Sequence, residues 1–315
     1  MAPTHITIPY KPRPFQKQFH ENARRWNVAV CHRRAGKTYM AVHWLIRGLV
    51  ECPHPNPIGC YIAPTFSQAE RIAFEYVRQA TEMFPGVKYN KAKLRVEIPI
   101  GDRNKITIHL LSGSNDSSEQ IRGLALDQVI FDEYADIPAK VFPQIVRPAL
   151  ADRRGNCLWI GTPKSADAFK AIYDKAVKEV ESGNPDWHYC YLPADKTNSL
   201  SKAELKELRD QMSDNEYRQE LLCDWGAHIT GAYYGEQLSK AEAEGRIGNI
   251  PHDETMLVNT SWDLGVRDKT TILFWQESAG ASIRLIDCYQ ASGEGLAHYV
   301  QVLQQRAFDK GYSYG

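Results

Sequence analysis

With 315 residues, of which 43% are hydrophobic and 24% charged, the chain has the length for two domains or one large one and the composition of a globular protein. No apolar run approaches the ~18 residues of a membrane span. The N-terminus lacks the apolar core of a secretory signal, and the seven scattered cysteines form no C-x-x-C pair, so neither a zinc site nor a disulfide framework is indicated and a reducing cytosol fits. The 38 basic and 38 acidic residues cancel, which argues against tight nonspecific nucleic-acid binding by the whole surface but not against cycles of binding and release. Two local basic clusters, Lys11 to Arg25 and Lys88 to Arg95, read as solvated surface.

In chain order, Trp26 to Cys31 reads as a short buried strand, and Thr38 to Val50 as a helix with Met40, Ala41, Trp44, Leu45 and Leu49 near helical spacing. Gly59 to Ala63 reads as a second strand. Ser67 to Met83 reads as a helix stopped by the Pro85-Gly86 turn. Leu94 to Ile100 and Lys105 to Leu111 form a strand pair. Leu126 to Phe131 and Asn156 to Gly161 are further buried strands, and Ala166 to Ser182 is helical. Short, unbroken apolar strands alternating with helices indicate a parallel α/β sheet flanked by helices. Ser201 to Cys223 reads as a helical pair, with Ser201 as N-cap and Glu204 completing a capping box. A glycine-containing stretch from about 226 to 255 reads as a linker. Strands at 257–263, 270–277 and 282–289 and a helix at 295–310 follow.

The stretch Cys31-His32-Arg33-Arg34-Ala35-Gly36-Lys37-Thr38 leaves a predicted strand and opens a predicted helix, the setting a phosphate loop requires. Backbone N–H groups of such a loop cradle phosphates, Lys37 reaches the outer phosphates and Thr38 offers its hydroxyl to Mg²⁺. Cys31 stands where the usual pattern has its first glycine, so the loop deviates. Arg33, and less strongly Arg34, are candidates to meet the outer phosphate in cis. The plain alternative is an ordinary helix start with surface basic residues.

Val129-Ile130-Phe131-Asp132-Glu133 is an apolar strand ending in two carboxylates. Two adjacent acids are costly to bury without a cation, which favours a metal: Asp132 to hold Mg²⁺ and Glu133 to act as general base on water. The alternative is a strand running out into an acidic loop. Leu158-Trp159-Ile160-Gly161-Thr162-Pro163 is another buried strand with a polar end, where Thr162 would face the outer phosphate and sense its loss; a simple strand-end turn is the alternative.

The order of these motifs resembles the large terminase family of tailed bacteriophages. His32 to Thr38 looks like that family's deviant phosphate loop, Ser112-Gly113-Ser114 through Ile121-Arg122-Gly123 like the segment before its acidic strand, Phe131 to Ala135 like its acidic motif and Ile160 to Pro163 like its coupling motif. Gly231-Ala232-Tyr233-Tyr234 and Ser261-Trp262-Asp263-Leu264-Gly265 resemble the approach to, and first motif of, its nuclease domain. The resemblance implies a P-loop ATPase of the ASCE type over residues 1–225, with a helical lid at about 196–225, a linker at 226–255 and, from 256 to 315, the beginning of an RNase H-like α/β domain. It implies ATP with Mg²⁺ as substrate and cofactor, bound by residues 34–38 and Asp132. Gln16, beside Phe15, stands where the family places an adenine-reading glutamine, with Gln18 as competitor. Arg122, eleven residues before Glu133, stands where an arginine acting in trans belongs.

The family translocates double-stranded viral DNA into a procapsid in the host cytoplasm. Its members bind a portal protein and usually a small terminase subunit, and work as homo-oligomeric rings assembled from monomers, without a membrane. In its nuclease, three or more carboxylates gather around two metal ions, Mg²⁺ or Mn²⁺. Asp263 matches the first of them; Asp268 is a possible auxiliary and Asp287 a weaker candidate. The later acidic motifs are expected beyond Gly315, so the sequence reads as a fragment without nuclease activity of its own. Another P-loop motor acting on DNA, such as a helicase, and a nucleotide-gated virion interaction module are the competing readings. The first would lack the Ser261–Gly265 motif after a linker; the second would bind ATP without turnover.

Overall fold

The computed structural model describes residues 6–100, 104–113, 119–164, 168–227, 235–265, 269–278 and 282–315. The chain forms two compact units, Met1–Tyr233 and Tyr234–Gly315.

The first unit is built on an eight-stranded sheet in the order β3-β4-β5-β2-β6-β7-β1-β8. Its strands are β1 (Trp26–Cys31), β2 (Ile58–Ala63), β3 (Lys88–Asn90), β4 (Arg95–Ile100), β5 (Asn104–Ser112), β6 (Gln128–Phe131), β7 (Asn156–Gly161) and β8 (Trp187–Leu192). From β5 to β8 every neighbour pair is parallel; β3 and β4 extend the sheet antiparallel. Strands β1 and β6 are buried at every residue, and β2 and β7 at all but their first, because both faces are covered. Ala29, Cys31, Tyr61, Ile130, Leu158 and Ile160 point into one apolar cluster with α1 (Pro14–Asn22) and α2 (Lys37–Val50). Val28, Val30, Ile62, Val129, Phe131 and Trp159 point into the other, which includes Phe169 and Ala176 of the helix Ala168–Glu181.

Strand β8 escaped the pattern reading, because Trp187-His188-Tyr189-Cys190-Tyr191-Leu192 mixes aromatic and polar residues without a clean period; pairing with β1 makes it a strand. The helix over 66–81 is interrupted by a π segment, Ala69–Ala73. Ser201 caps its helix by accepting from the Glu204 N–H, but the full reciprocal capping box is made by Ser213 and Glu216 one helix later.

In the second unit, β9 (Asn259–Asp263), β10 (Thr270–Ser278) and β11 (Ser282–Ala291) form an antiparallel sheet in the order β11-β10-β9. The helix Leu296–Lys310 covers one face, around Val258, Ile272, Phe274, Tyr299 and Tyr312. The stretch expected to be a linker contains a helix, Gly235–Ala243. Its Glu, Gln, Lys and Ala are good helix formers, and Gly245, at φ +68° beyond its end, lets the Arg246 N–H reach the Ala241 carbonyl at 2.7 Å. No helix among the described residues is long and apolar enough to cross a membrane.

Gly48 shows how closely α2 lies on the sheet. The Gln128 amide beneath it donates to the Trp44 carbonyl at 2.9 Å, and a Cβ at Gly48 would fall 1.8 Å from the Gln128 carboxamide oxygen. Gly48→Ala should therefore destabilise the protein by ~1–3 kcal/mol through overpacking, despite the better helix propensity of alanine. Thermal melts check this: adding Gln128→Ala should recover part of the loss, and a Gly48→Ala protein melting at or above wild type would refute the packing.

Candidate functional site

Strand order decides which residues meet. Because β7 lies between β6 and β1, the chain leaving β1 at Cys31, leaving β6 at Phe131 and leaving β7 at Gly161 emerges at one edge of the sheet. In open parallel sheets that carboxyl edge is where ligands bind.

From β1 the chain turns through His32 to Gly36 into α2. Gly36 is the residue before the helix at φ +83°, a left-handed conformation that costs glycine little; Arg34 adopts it too, at φ +69°, where a side chain is strained. By helix geometry the first N–H groups of α2 lack intrahelical acceptors, and they point out of the loop toward the edge. Cys31 is fully buried as the last residue of β1, its thiol pushed up to about 12 by burial, so it packs as a core residue.

The acidic strand end meets this loop directly. The Lys37 Nζ lies 2.8 Å from a Glu133 oxygen, with only 12% of the lysine side chain exposed. Burial works against the lysine's charge, but Glu133 and Asp132 outweigh it and hold its pKa above the ordinary value. The Thr38 hydroxyl donates to Asp132 at 3.4 Å, and the Tyr61 hydroxyl of β2 donates to the same carboxylate oxygen. Burial and the neighbouring Glu133 push the Asp132 carboxyl up from its usual range, against Lys37 and Tyr61. Glu133 sits at φ +48°, a turn that swings its side chain back over the edge. Its second oxygen accepts the Thr162 backbone N–H at 3.3 Å. Gly161 lies close under this pair: a Cβ there would be in ordinary contact with Glu133 at 3.5 Å but tight against the Phe169 ring at 3.1 Å.

Flanking elements hold the loop. In α1 the buried Gln16 donates to the Gly36 carbonyl at 3.2 Å and accepts from the Arg13 N–H, while the Arg13 guanidinium donates to the Ala35 carbonyl at 2.9 Å. Gln18 is exposed on the same helix. From the other side, His32 Nδ1 meets the Arg33 carbonyl at 2.6 Å and Nε2 meets the hydroxyls of Thr197 and Ser199 at 2.8 and 2.9 Å. Burial lowers the His32 pKa, so the ring is neutral and donates through Nδ1. The Arg33 N–H donates to the Glu220 carbonyl at 2.8 Å, and its guanidinium, 68% exposed, lies 3.9 Å from the Glu220 carboxylate. Arg34 is exposed. Arg122 is exposed on the loop after the turn Glu119–Ile121.

A family model described as terminase large subunit, T4likevirus-type, N-terminal matches residues 32–240. The chain belongs to this terminase family. Among relatives, the terminase large subunit of Thermus virus P23-45 is 28% identical over 249 residues, covering 72% of this chain and 51% of that protein. The large terminase ATPase domain of Thermus phage P74-26 superposes with a TM-score of 0.57 at 27% identity, over 69% of this chain and 95% of that domain. The large terminase of the HK97 bacteriophage superposes with a TM-score of 0.57 over 95% of this chain and 66% of that one; at 19% identity this is likeness of fold. The chain spans about half the length of the curated relatives it matches. The resemblance to the large terminase family and the expected mainly parallel α/β fold thus hold.

Tyr61 and Glu220 also contact this edge and were not singled out by sequence, where His32 entered only as part of the loop and Arg13 only as part of a basic cluster. Tyr61 lies mid-strand and reads as core; only the pairing of β2 with β6 brings its hydroxyl to Asp132. In the second unit Asp263 ends β9, exposed and in register with Thr271. Asp287 pairs with Phe274, a residue of the helix-covered face, and is held by Arg306 and Lys310 at 2.8 Å each. The alternation of strand residues places Asp263 with Thr271 on the opposite face, so the two aspartates do not converge. Among the described residues Asp263 joins no group of three metal-capable side chains. Asp268, Ser114 and 231–234 lie outside the described residues.

Tyr61→Phe removes the hydroxyl from a buried carboxylate. Hydrogen bonds to charged groups contribute ~1.5–3 kcal/mol, so urea unfolding near pH 7.5 should show a loss of about that size with an unchanged m-value. A Tyr61→Phe protein as stable as wild type would mean that the hydroxyl does not support Asp132.

Proposed function

We propose that this chain hydrolyses ATP at the β1–α2 loop and, within the terminase, uses it to drive double-stranded viral DNA into a procapsid. One observation carries the reading: Lys37 is ion-paired to Glu133 at 2.8 Å while Thr38 donates to Asp132 at 3.4 Å beside it, so a phosphate-binding cation, a base and a metal-holding pair share one point. Two adjacent carboxylates with a single buried lysine leave negative charge that suits a dication, and the donor set of hydroxyl and carboxylate oxygens suits Mg²⁺. Thr38 and Asp132 would hold that ion, which when bound neutralises charge on the phosphates.

In this reading Lys37 has two partners in succession. Phosphate oxygens draw it from Glu133, whose carboxylate is then free to orient water and take its proton. The Thr162 N–H on Glu133 reports that change to the strand-end loop, which Lys164 ties to Asp136 at 2.6 Å. Arg33, whose backbone is fixed and whose guanidinium is largely exposed, is the cis candidate for the outer phosphate, with Arg34 behind it. Gln16 and Ala35 set the loop's shape from the purine side. Arg122 serves a neighbouring subunit in a ring assembled on a portal protein with a small terminase subunit, in the host cytoplasm. Asp263 is the first carboxylate of the nuclease of the whole protein.

Steady-state turnover and nucleotide binding test the site together. Lys37→Ala should abolish turnover; a mutant as active as wild type would remove the loop from the mechanism. Glu133→Gln should bind Mg-ATP almost normally and hydrolyse it ~10²–10⁴-fold more slowly, whereas equal loss of binding and turnover would make Glu133 structural.

Subunit mixing tests Arg122. An arginine supplied in trans is worth ~10³–10⁵-fold in turnover. Arg122→Ala and Glu133→Gln subunits, each nearly inactive alone, should regain activity when mixed on portal or DNA. No rescue at any ratio would show that Arg122 does not act across an interface.

A further inference from the structure

At the end of the sheet away from the phosphate loop, Cys52, His54 and Asp127 bring a thiol, an imidazole and a carboxylate together. Cys52 follows α2 and Asp127 precedes β6, so the cluster lies at the far ends of the two elements whose other ends carry Lys37 and Asp132. Asp127 Oδ1 lies 2.7 Å from His54 Nδ1 and 3.4 Å from Cys52 Sγ, and the thiol lies 3.7 Å from the same ring nitrogen. Among the described residues this is the one group of three such side chains close enough to share an ion. We propose that Cys52, His54 and Asp127 form a binding site for a divalent transition metal of the Zn²⁺ class.

The donor triangle carries the proposal. Zinc bonds of ~2.0 Å to nitrogen and oxygen and ~2.3 Å to sulfur place tetrahedral donors ~3.3–3.6 Å apart. The two edges that include sulfur, at 3.4 and 3.7 Å, are already near that spacing. The His54–Asp127 edge, at 2.7 Å, is a hydrogen bond that opens once its proton is gone. Coordination releases the Cys52 thiol proton, and the imidazole proton moves to Nε2 on a ring that is 39% exposed. A thiol–imidazole–carboxylate relay for nucleophilic catalysis does not fit, because a relay needs thiol and carboxylate on different ring nitrogens, and here both meet Nδ1.

The surroundings are those of a prepared site. Asp127 is buried, and its other oxygen accepts from the Ile58 N–H and from Arg153, each at 2.8 Å, which fixes the orientation of Oδ1. Pro53, Pro55 and Pro57 alternate with the loop residues, and proline restricts both itself and the residue before it, so Cys52 and His54 are held with little freedom to lose. Thiolate and carboxylate together balance a dication; Arg153 opposes it but stays on the outer oxygen. Sulfur and imidazole nitrogen select a borderline-soft ion over Mg²⁺ or Ca²⁺. A pocket of about 340 Å³, which Glu51 also lines, leaves the fourth position to water.

Cobalt(II) tests this, since its visible spectrum reports thiolate ligation and tetrahedral geometry. In the full chain with the exposed Cys288 replaced (Cys288→Ser), titration with CoCl₂ without air should develop tetrahedral d–d bands and a thiolate charge-transfer band at one equivalent, and ZnCl₂ should bleach both. Cys52→Ser and His54→Ala should remove the bands and weaken binding by more than ~100-fold, beyond what loss of an outer partner causes, with an unchanged circular dichroism spectrum. Should Cys52→Ser fail to fold, His54→Ala, on the surface loop, decides alone. No tetrahedral bands in the parent chain, or bands that persist in His54→Ala, would overturn the proposal.

Discussion

Two carboxylates at the tip of one buried strand set the charge balance around which the edge of the first unit is arranged. Asp132 and Glu133 follow Phe131 out of the sheet interior, and carboxylates there lose much of their hydration. Lys37, itself almost buried, offsets this for Glu133, and hydroxyls of Tyr61 and Thr38 offset it for Asp132. The lysine cannot satisfy both acids. The carboxyl of Asp132 is accordingly displaced upward by burial and by Glu133.

That electrostatic balance needs a loop that does not wander, and neighbouring elements supply it from two directions. Arg13 and Gln16 on α1 grip the carbonyls of Ala35 and Gly36, while His32 and Arg33 are hydrogen-bonded to residues after β8. The contacts of His32 and Arg33 run to Thr197 and Glu220, each at the end of a short helix of the first unit, and to Ser199 in the turn after the first of these.

Helix α2 and strand β6 tie the two ends of the sheet together. Helix α2 begins at Lys37 and is followed by Cys52, and β6 is flanked by Asp127 before it and Asp132 after it. A helix of 14 residues spans ~21 Å, and Gly48 seats its C-terminal end closely on Gln128 at the start of β6.

Much of this was legible in the sequence. Unbroken apolar runs such as WNVAVC and NCLWIG marked central strands; Gly36-Lys37-Thr38 between a strand and a helix marked the phosphate loop; a strand ending in Asp132-Glu133 marked its partner. These signals are local, because backbone period, glycine and charge act over a few residues. Which strands are neighbours is not local. The insertion of β7 between β6 and β1, the pairing that carries Tyr61 to Asp132, and the meeting of Asp127 with Cys52 and His54 depend on contacts between segments far apart in the chain. The same holds for the opposite faces of Asp263 and Asp287, since a strand's residues alternate faithfully but the register against β10 decides which face each joins. Sequence determined the chemical groups and the short elements that bear them; the parallel crossing of those elements, which no single segment encodes, decided which groups share a site.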